Sequence, residues 1–455
     1  MASLISSPVS TAATATGASA AAHSSKAPAG AATARTATAT ATVTSFDGMG
    51  LCDAVLRGIY AHGFERPSPI QAAAVPALLA SPSRDLIAQA QSGTGKTGAF
   101  IIPLLQRVAE AVGLAASAAT VARTGAAGAA GAPAVTATAT AKKTLALVLS
   151  PTRELATQTG TVAASLAAHM PGVTVAVCIG GSRVAGDIAA LRAGATIVVA
   201  TPGRVLDLLE RRALHLGDLR SLVVDEADEM LEAGHGDSLR LILDRGGLPA
   251  SASLQIALFS ATLTAASLEL ARELLVDPAT ILLAEDQLTL EGIRQYYVPV
   301  TSERDKMDVL CDLYERASIS QAIIYCNTRR EAEWVSRVMT ERDFTVSTMH
   351  GEMEASERTA VMAAFRAGAA RVLVSTDLTA RGIDVQHVSL VFNMSLPTKR
   401  ENYLHRIGRS GRYGRKGVAI TLLSPAEATY LRDIESFYAT RVEVLPDDVE
   451  AATKA

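Results

Sequence analysis

Short runs of continuous apolar residues alternate along most of this chain with longer stretches whose apolar positions recur at helical spacing. The runs 85–88, 145–149, 173–178, 196–200, 222–224 and 255–259 read as strands. So do 322–325, 345–349, 372–375, 390–392 and 418–422. Between them, 98–108, 155–169 and 205–211 carry helical patterns. A strand apolar at every position is buried on both faces. The alternation therefore predicts mainly parallel sheets with helices on both sides.

The pattern breaks in three places. Residues 1–45 are Ala, Thr and Ser with scattered Gly and Pro and no acid. They hold too little bulky apolar surface to offset ordering entropy, which predicts a disordered low-complexity segment. With only Lys26 and Arg35 basic there, an organelle transit peptide fits less well. Residues 111–143 return to Ala/Thr/Gly and read as a surface insertion, since loop length adds little closure entropy. Residues 286–292 are polar and read as a linker. Two α/β domains in tandem follow, 46–285 and 293–455.

Composition narrows this reading. A length of 455 residues suits two or three domains. The net charge of −3 excludes nucleic-acid binding by a broadly basic surface; such binding has to be local. Cys52, Cys178, Cys311 and Cys326 are far apart and form no metal-ligand spacing, which suits reduced intracellular thiols. No run of about 20 strongly apolar residues is present, so no membrane span is expected.

The stretch Ala90-Gln91-Ser92-Gly93-Thr94-Gly95-Lys96-Thr97 lies between a strand and a helix. That context makes a Gly-Lys-Thr run a phosphate loop. Gly93 and Gly95 allow a tight bend that aims backbone N–H groups at phosphate oxygens, and the helix start adds its positive dipole end. Lys96 reaches β- and γ-phosphates, and the Thr97 hydroxyl suits Mg²⁺. The generic pattern opens on Gly where this chain has Ala90.

Asp225-Glu226-Ala227-Asp228 follows the strand 222–224. Ligand sites of open parallel sheets lie at strand carboxyl ends, which brings this cluster near the phosphate loop. Asp225 suits Mg²⁺, and Glu226 suits a base or positioner for an attacking water. Ser260-Ala261-Thr262 closes the strand 255–259. In the second domain Lys399, Arg400, Arg406, Arg409, Arg412, Arg415 and Lys416 form a dense basic run. It reads either as a solvated helix face or as a source of arginines that reach a transferring phosphoryl group. Arg409 and Arg412, set three apart among glycines, suit the second role.

Taken with Phe46, Gly63-Phe64, Pro67-Ser68-Pro69-Ile70-Gln71, Pro151-Thr152-Arg153-Glu154-Leu155-Ala156, Gly180-Gly181 and Thr201-Pro202-Gly203-Arg204, these motifs form an ordered series. It continues with Asn327-Thr328-Arg329, Ser375-Thr376-Asp377, Ala380-Arg381-Gly382-Ile383-Asp384 and His405–Arg412. The chain resembles the DEAD-box RNA helicases over residues 46–445 apart from the insertion. Its spelling at 225–231, 288–295 and 400–403 is most similar to the translation-initiation branch. Ala355, Thr379 and Met394-Ser395 depart from that spelling.

The resemblance implies two RecA-like domains and an RNA-dependent ATPase using ATP and Mg²⁺ that locally unwinds short duplexes. It implies that Phe46 stacks on adenine and Gln71 reads its edge. Ala90 to Thr97 would hold the phosphates, with Gly382 and Asp384 meeting the nucleotide from the second domain. Lys96, Glu226, Arg409 and Arg412 would be catalytic, with Thr97 and Asp225 on the metal. Asp228, Ser260 and Thr262 would couple hydrolysis to RNA binding. Thr152, Arg153, Gly181, Thr201, Arg204, Thr328, Arg329, Thr376 and Asp377 would line the backbone of single-stranded RNA without reading bases. An initiation-factor scaffold protein and a stimulating RNA-binding protein are the implied partners, in the cytoplasm. The alternative is an ATP-locked RNA clamp that nucleates a nuclear mRNA-processing complex. A DNA translocase fits the spelling less well.

Overall fold

The computed structural model describes residues 43–90, 93–114, 143–249, 253–282, 293–317, 319, 321–377, 388–410 and 417–453. The expected linker 286–292, most of the 111–143 insertion and most of the expected 1–45 tail lie outside these residues.

The apolar runs form two seven-stranded sheets. The first holds β1 (Leu86–Gln89), β2 (Ala146–Leu149), β3 (Val175–Cys178), β4 (Ile197–Ala200), β5 (Ser221–Val224), β6 (Gln255–Ser260) and β7 (Ala279–Leu282). Their order is β3-β4-β2-β5-β6-β1-β7. The second holds β8 (Ile293–Pro299), β9 (Gln321–Cys326), β10 (Val346–Met349), β11 (Val372–Thr376), β12 (Val388–Asn393), β13 (Gly417–Leu423) and β14 (Glu443–Val444). Their order is β10-β11-β9-β12-β13-β8-β14. Every described pairing is parallel.

Alternate residues of one strand feed opposite cores. Val148 packs with Ile101 and Phe259 on one face, while Leu147 and Leu149 join Leu208 and Ile242 on the other. In the second sheet Ile324 faces Leu310 and Met339, and Ile323 and Tyr325 face Met362 and Phe365. Burial on both faces is why these strands lack the alternating pattern of a half-solvated sheet. Among the described residues no helix is long and apolar enough to cross a membrane.

The order of the first sheet sets the site. β5, β6 and β1 are adjacent, so the loops leaving their carboxyl ends meet at one edge. These loops carry the acid cluster, Ser260 to Thr262 and the phosphate loop.

One close approach fixes the first helix. A Cβ placed on Gly58, in helix Asp53–Ala61, would stand 1.9 Å from the Leu166 carbonyl oxygen. Because that atom is backbone, relief requires the helix to move. Gly58→Ala is expected to destabilise the fold by about 1–3 kcal/mol, the usual scale of overpacking. Chemical denaturation read by far-UV circular dichroism measures it; an unchanged midpoint would refute this packing.

Candidate active site

The phosphate loop is packed against Gln71 and cannot carry side chains at its glycines. Gly95 has φ 97° and directly precedes helix Lys96–Ala111. A Cβ there would lie 2.7 Å from Gln71 Nε2, and one on Gly98 would lie 2.5 Å from it. Gln71 donates from Nε2 to the Gly95 carbonyl at 3.1 Å and accepts from the Ser68 N–H at 3.0 Å. Ala90, buried, donates its N–H to the Ser260 carbonyl at 3.0 Å, which ties the loop to the neighbouring strand. Gly93 is exposed, Thr94 and Thr97 are half-buried, and Gln91 and Ser92 lie outside the described residues.

Phe46, expected to stack on adenine, lies among aromatic rings of its own segment. Its ring is fully buried, edge-on to Tyr60 and stacked with Phe64, both at 6.5 Å. Phe64 is half-buried and Tyr60 is exposed.

The acid cluster sits directly against Lys96. Lys96 Nζ donates to Glu226 Oε2 at 2.6 Å, with both side chains over nine-tenths buried. Glu226 has φ 48°, a left-handed backbone that costs a non-glycine residue strain and marks functional turns. Asp225 accepts from the Glu226 N–H at 3.0 Å. Burial, then the Glu226 charge, pushes the Asp225 carboxyl up to about 7, against the pull of Lys96. Burial also opposes ionisation of Glu226, but Lys96 outweighs it and holds that carboxyl below its ordinary value. The two adjacent carboxyls are thus driven apart, an arrangement typical of paired groups with different tasks.

Asp228 joins this site to Ser260 and Thr262. Thr262 donates from its N–H and its hydroxyl to Asp228 Oδ2, at 3.0 and 2.7 Å. The Asp228 N–H donates to Ser260 Oγ at 3.3 Å, and Ser260 Oγ donates to the Thr262 carbonyl at 2.7 Å. From the second sheet's side, His405 Nε2 stands 3.9 Å from Asp228 Oδ2. Burial raises the Asp228 carboxyl, but His405 and Lys96, with the two hydroxyl bonds, bring it below its ordinary value.

Within the basic run Lys399 is exposed and Arg400 half-buried, but Arg406 and Arg409 are buried. Arg406, on helix Arg400–Ile407, is fully buried. It donates to Asp377 from Nε at 2.5 Å and from Nη2 at 2.8 Å, to Asn327 Oδ1 at 2.7 Å and to the Ser395 carbonyl at 2.8 Å. Asn402 also donates to Asp377, at 3.2 Å. Asp377, expected along an RNA backbone, is therefore an internal anchor for Arg406. Arg409 is buried and donates to the His405 carbonyl at 3.0 Å. Arg412, Gly382 and Asp384 lie outside the described residues.

The remaining expected contacts sit at strand carboxyl ends, several as helix caps. Thr152 caps helix Arg153–Leu166, accepting from the Leu155 N–H at 3.3 Å. Thr328 caps helix Arg329–Glu341 in the same way, from Glu331 at 3.2 Å. Thr201 is the N-cap residue of helix Pro202–Glu210, and Thr376, buried, ends β11. Gly181 has φ 83° in the turn after β3. The arginines differ. Arg329 is exposed and paired with Glu333 at 2.7 Å and with Glu352. Arg204 is buried against Asp187. Arg153 is half-buried over Gly180, with no carboxylate partner among the described residues. Arg358 reaches Glu154 at 3.3 Å, a second polar link between the two sheets' lobes. Asp187, Asn402 and the clasp by Arg406 were not legible from spacing. Their partners are 11 to 79 residues away and fall in no local pattern.

The comparisons agree with this geometry. The family model for DEAD/DEAH box helicase matches residues 68–270, and that for the helicase conserved C-terminal domain matches 305–414. The chain is 47% identical over 405 residues to the ATP-dependent RNA helicase eIF4A of Schizosaccharomyces pombe, covering 89% of this chain and 94% of that one. It is 46% identical over 407 residues to the ATP-dependent RNA helicase FAL1 of Mycosarcoma maydis, covering 90% and 94%. Among solved structures it is similar to S. cerevisiae Dbp5 bound to RNA and ADP BeF3, with TM-score 0.74, 33% identity and coverage of 88% and 95%. Mss116p bound to ssRNA and AMP-PNP shares the fold at TM-score 0.73.

Asp225 yields a stability test. Its carboxyl titrates higher in the fold than in the unfolded chain, so between about pH 4 and 7 the folded state binds more protons. Stability from this group is present below pH 4 and is lost as pH rises through about 7. Asp225→Asn removes the buried charge and is expected to stabilise the fold at pH 8 more than at pH 5, by up to about 3 kcal/mol, read by thermal and chemical melting at the two pH values. Equal shifts at both pH values would show that burial does not penalise this charge.

Proposed function

The chain belongs to the DEAD/DEAH-box helicase family and is an ATP-dependent RNA helicase, and from that premise we propose which groups carry its reaction and where it acts. The observation that carries the assignment is the buried Lys96–Glu226 pair at 2.6 Å. Without nucleotide, Lys96 is neutralised by the carboxylate that must later act on water. When ATP enters, its β- and γ-phosphates take over Lys96, and Glu226 is released to orient and deprotonate the attacking water. One exchange of partners thus both grips the substrate and frees the base.

Mg²⁺ fits the donor set. Asp225 is a buried carboxylate whose charge is poorly compensated, and Thr97 places a hydroxyl on the first helical turn. No group of three or more His, Cys, Asp or Glu side chains forms a metal cage among the described residues, so phosphate oxygens and water would complete the shell. Held by Asp225 and Thr97, such an ion would supply positive charge beside the phosphates. Gln71 would turn its amide from Gly95 to the adenine edge, with Phe46 and Phe64 beside the ring. Gly382 and Asp384 would meet the nucleotide from the second lobe. Arg409 and Arg412 would stabilise the transferring phosphoryl group. Asp228, Ser260 and Thr262 form the hydrogen-bonded link through which RNA occupancy reaches the acid cluster.

RNA would run along the strand ends that present Thr152, Arg153, Gly181, Thr201, Thr328, Arg329 and Thr376. Helix N-termini and hydroxyls there suit phosphates and 2′-hydroxyls, so binding would be independent of base sequence. We place the helicase in translation initiation in the cytoplasm, with a scaffold factor and a stimulating RNA-binding protein as partners; its likeness to eIF4A supports this. The near-equal likeness to FAL1 favours a second reading, an ATP-dependent clamp in nuclear mRNA processing. Affinity purification from cells, scored for cap-complex against splicing-linked proteins, decides between them.

Glu226→Gln is expected to keep ATP and RNA binding while lowering RNA-stimulated turnover by more than a hundredfold, about 2.7 kcal/mol in barrier. Steady-state phosphate release at saturating RNA measures it. Turnover within tenfold of the parent would remove Glu226 from the water-activating role.

A further inference from the structure

Gln295 is a buried polar residue on an otherwise apolar strand face, and both ends of its amide are taken. It lies on β8, 7% exposed, in register with Ala419 of β13. Its neighbours on the same face, Ile293 and Tyr297, pack with Tyr403, Ile407 and Leu431. Tyr403, on helix Arg400–Ile407, donates its hydroxyl to Gln295 Oε1 at 3.0 Å. Gln295 Nε2 donates to Thr440 Oγ1 at 3.0 Å. Burial, then the Glu435 carboxylate, hold the Tyr403 hydroxyl well above its ordinary value, so it stays a donor.

The segment that carries Thr440 is itself fixed. Ala439 has φ 47°, a left-handed backbone that a non-glycine residue adopts only when its surroundings hold it there. The Thr440 N–H donates to the Glu435 carbonyl at 3.0 Å, and the Val442 N–H donates to Glu435 Oε1 at 2.8 Å. The Tyr438 hydroxyl donates to the Arg400 carbonyl at 3.1 Å, at the first residue of the helix that carries Tyr403. Just past the other end of that helix, Arg409 donates from Nε to the His405 carbonyl at 3.0 Å.

We propose that Gln295 is a positioning residue for Arg409, fixing through Tyr403 the helix whose His405 carbonyl orients the Arg409 guanidinium. The inference rests on the reading of Arg409 as an arginine that stabilises the transferring phosphoryl group, and it names what holds that arginine in place. Apolar contacts among Tyr403, Ile407 and Leu431 are non-directional and leave the helix free to shift on its seat. The hydrogen bond to Gln295 allows one placement, because moving the helix strands a buried hydroxyl and a buried amide oxygen. An aliphatic side chain would fill this face with no polar group to satisfy, so the amide contributes geometry rather than burial. The His405 carbonyl belongs to the same helix as Tyr403 and moves with it. A rotation at Tyr403 therefore re-aims Arg409. Misplacing a group that acts in the transition state lowers the rate and leaves substrate binding nearly as it was.

The test uses the full chain with saturating oligouridine and measures steady-state phosphate release against ATP concentration. Gln295→Leu and Tyr403→Phe are each expected to lower kcat about tenfold, with KM for ATP and oligouridine affinity within about twofold of the parent. The double variant should fall no further than either alone, because both remove the same bond. Arg409→Ala should lower kcat by more than about a hundredfold. In that background Gln295→Leu should cost less than about twofold, because its effect runs through the missing guanidinium. A general loosening of the fold would instead leave the two losses additive. The inference is overturned if Gln295→Leu keeps the parental kcat, or if it lowers the kcat of Arg409→Ala as much as that of the parent. If Gln295→Leu loses its cooperative melting transition, Tyr403→Phe decides, since it removes only the hydroxyl oxygen and keeps the ring; a parental kcat there sinks the proposal. A parental kcat in Arg409→Ala would refute the arginine reading itself, and the inference with it.

Discussion

Asp225, Glu226 and Asp228 are buried within one turn of chain, and the site depends on how their repulsion is contained. Charges this close in a desolvated pocket repel strongly, and proteins answer by pairing a charge or neutralising it. Here each carboxyl meets a different answer. Glu226 takes Lys96, Asp228 takes the Thr262 hydroxyl and N–H and faces His405, and Asp225 is left with its ionisation suppressed. The left-handed backbone at Glu226 separates the three directions, which a regular helix start would not do. The resulting pocket is satisfied for Glu226 and Asp228 but short of positive charge at Asp225. That deficit is what a nucleotide-bound cation would correct, and the acid cluster is poised for it at the cost of native stability.

The second lobe solves the opposite problem, a surplus of buried arginine. Arg406 is surrounded by the ends of three adjacent strands, through Asn327 after β9, Asp377 after β11 and Ser395 after β12. One guanidinium therefore fixes the relative placement of two segments that carry expected RNA contacts, Thr328 and Thr376. The same helix carries His405 and leads to Arg409. Arg406 thereby ties the strand ends to the helix that holds His405 opposite Asp228. Met394-Ser395, a departure from the family spelling, leaves this arrangement intact because Arg406 uses the Ser395 carbonyl. The Ser395 hydroxyl instead bonds Glu331 at 3.2 Å.

Legibility followed locality. Strands buried on both faces announced themselves, since nothing but apolar residues can occupy them. β7, β8 and β14 passed unread because they lie toward one edge of each sheet and mix residues. β8 carries Arg294 and Gln295, and β7 is half-buried at best. The phosphate loop, the acid cluster and the Ser260 turn were readable because their chemistry is contiguous in sequence. What was missed is chemistry made by pairing across distance. Asp377, expected along RNA, is Arg406's counter-ion in this structure. Arg204, expected there too, is paired with Asp187. Phe46, expected to stack on adenine, is buried against Tyr60 and Phe64. In each case the residue type suits a ligand, and the partner it has within the chain is distant in sequence.

Among the described residues, two charged pairs between the lobes are long. His405 stands 3.9 Å from Asp228, and Arg358 stands 3.3 Å from Glu154 with its Nε lacking a well-aligned partner. Within each lobe, by contrast, the buried pairs close at hydrogen-bonding distance. Long ion pairs contribute little on their own, and desolvation takes back part of that. These two long pairs contribute little to holding the lobes together, which leaves contacts for bound ligands to supply. On the proposed function, ATP would bridge the acid cluster to Arg409, and RNA would bridge Thr152 and Arg153 to Thr328 and Thr376. Each ligand would then lower the ordering cost of the other, which makes ATP and RNA binding mutually dependent.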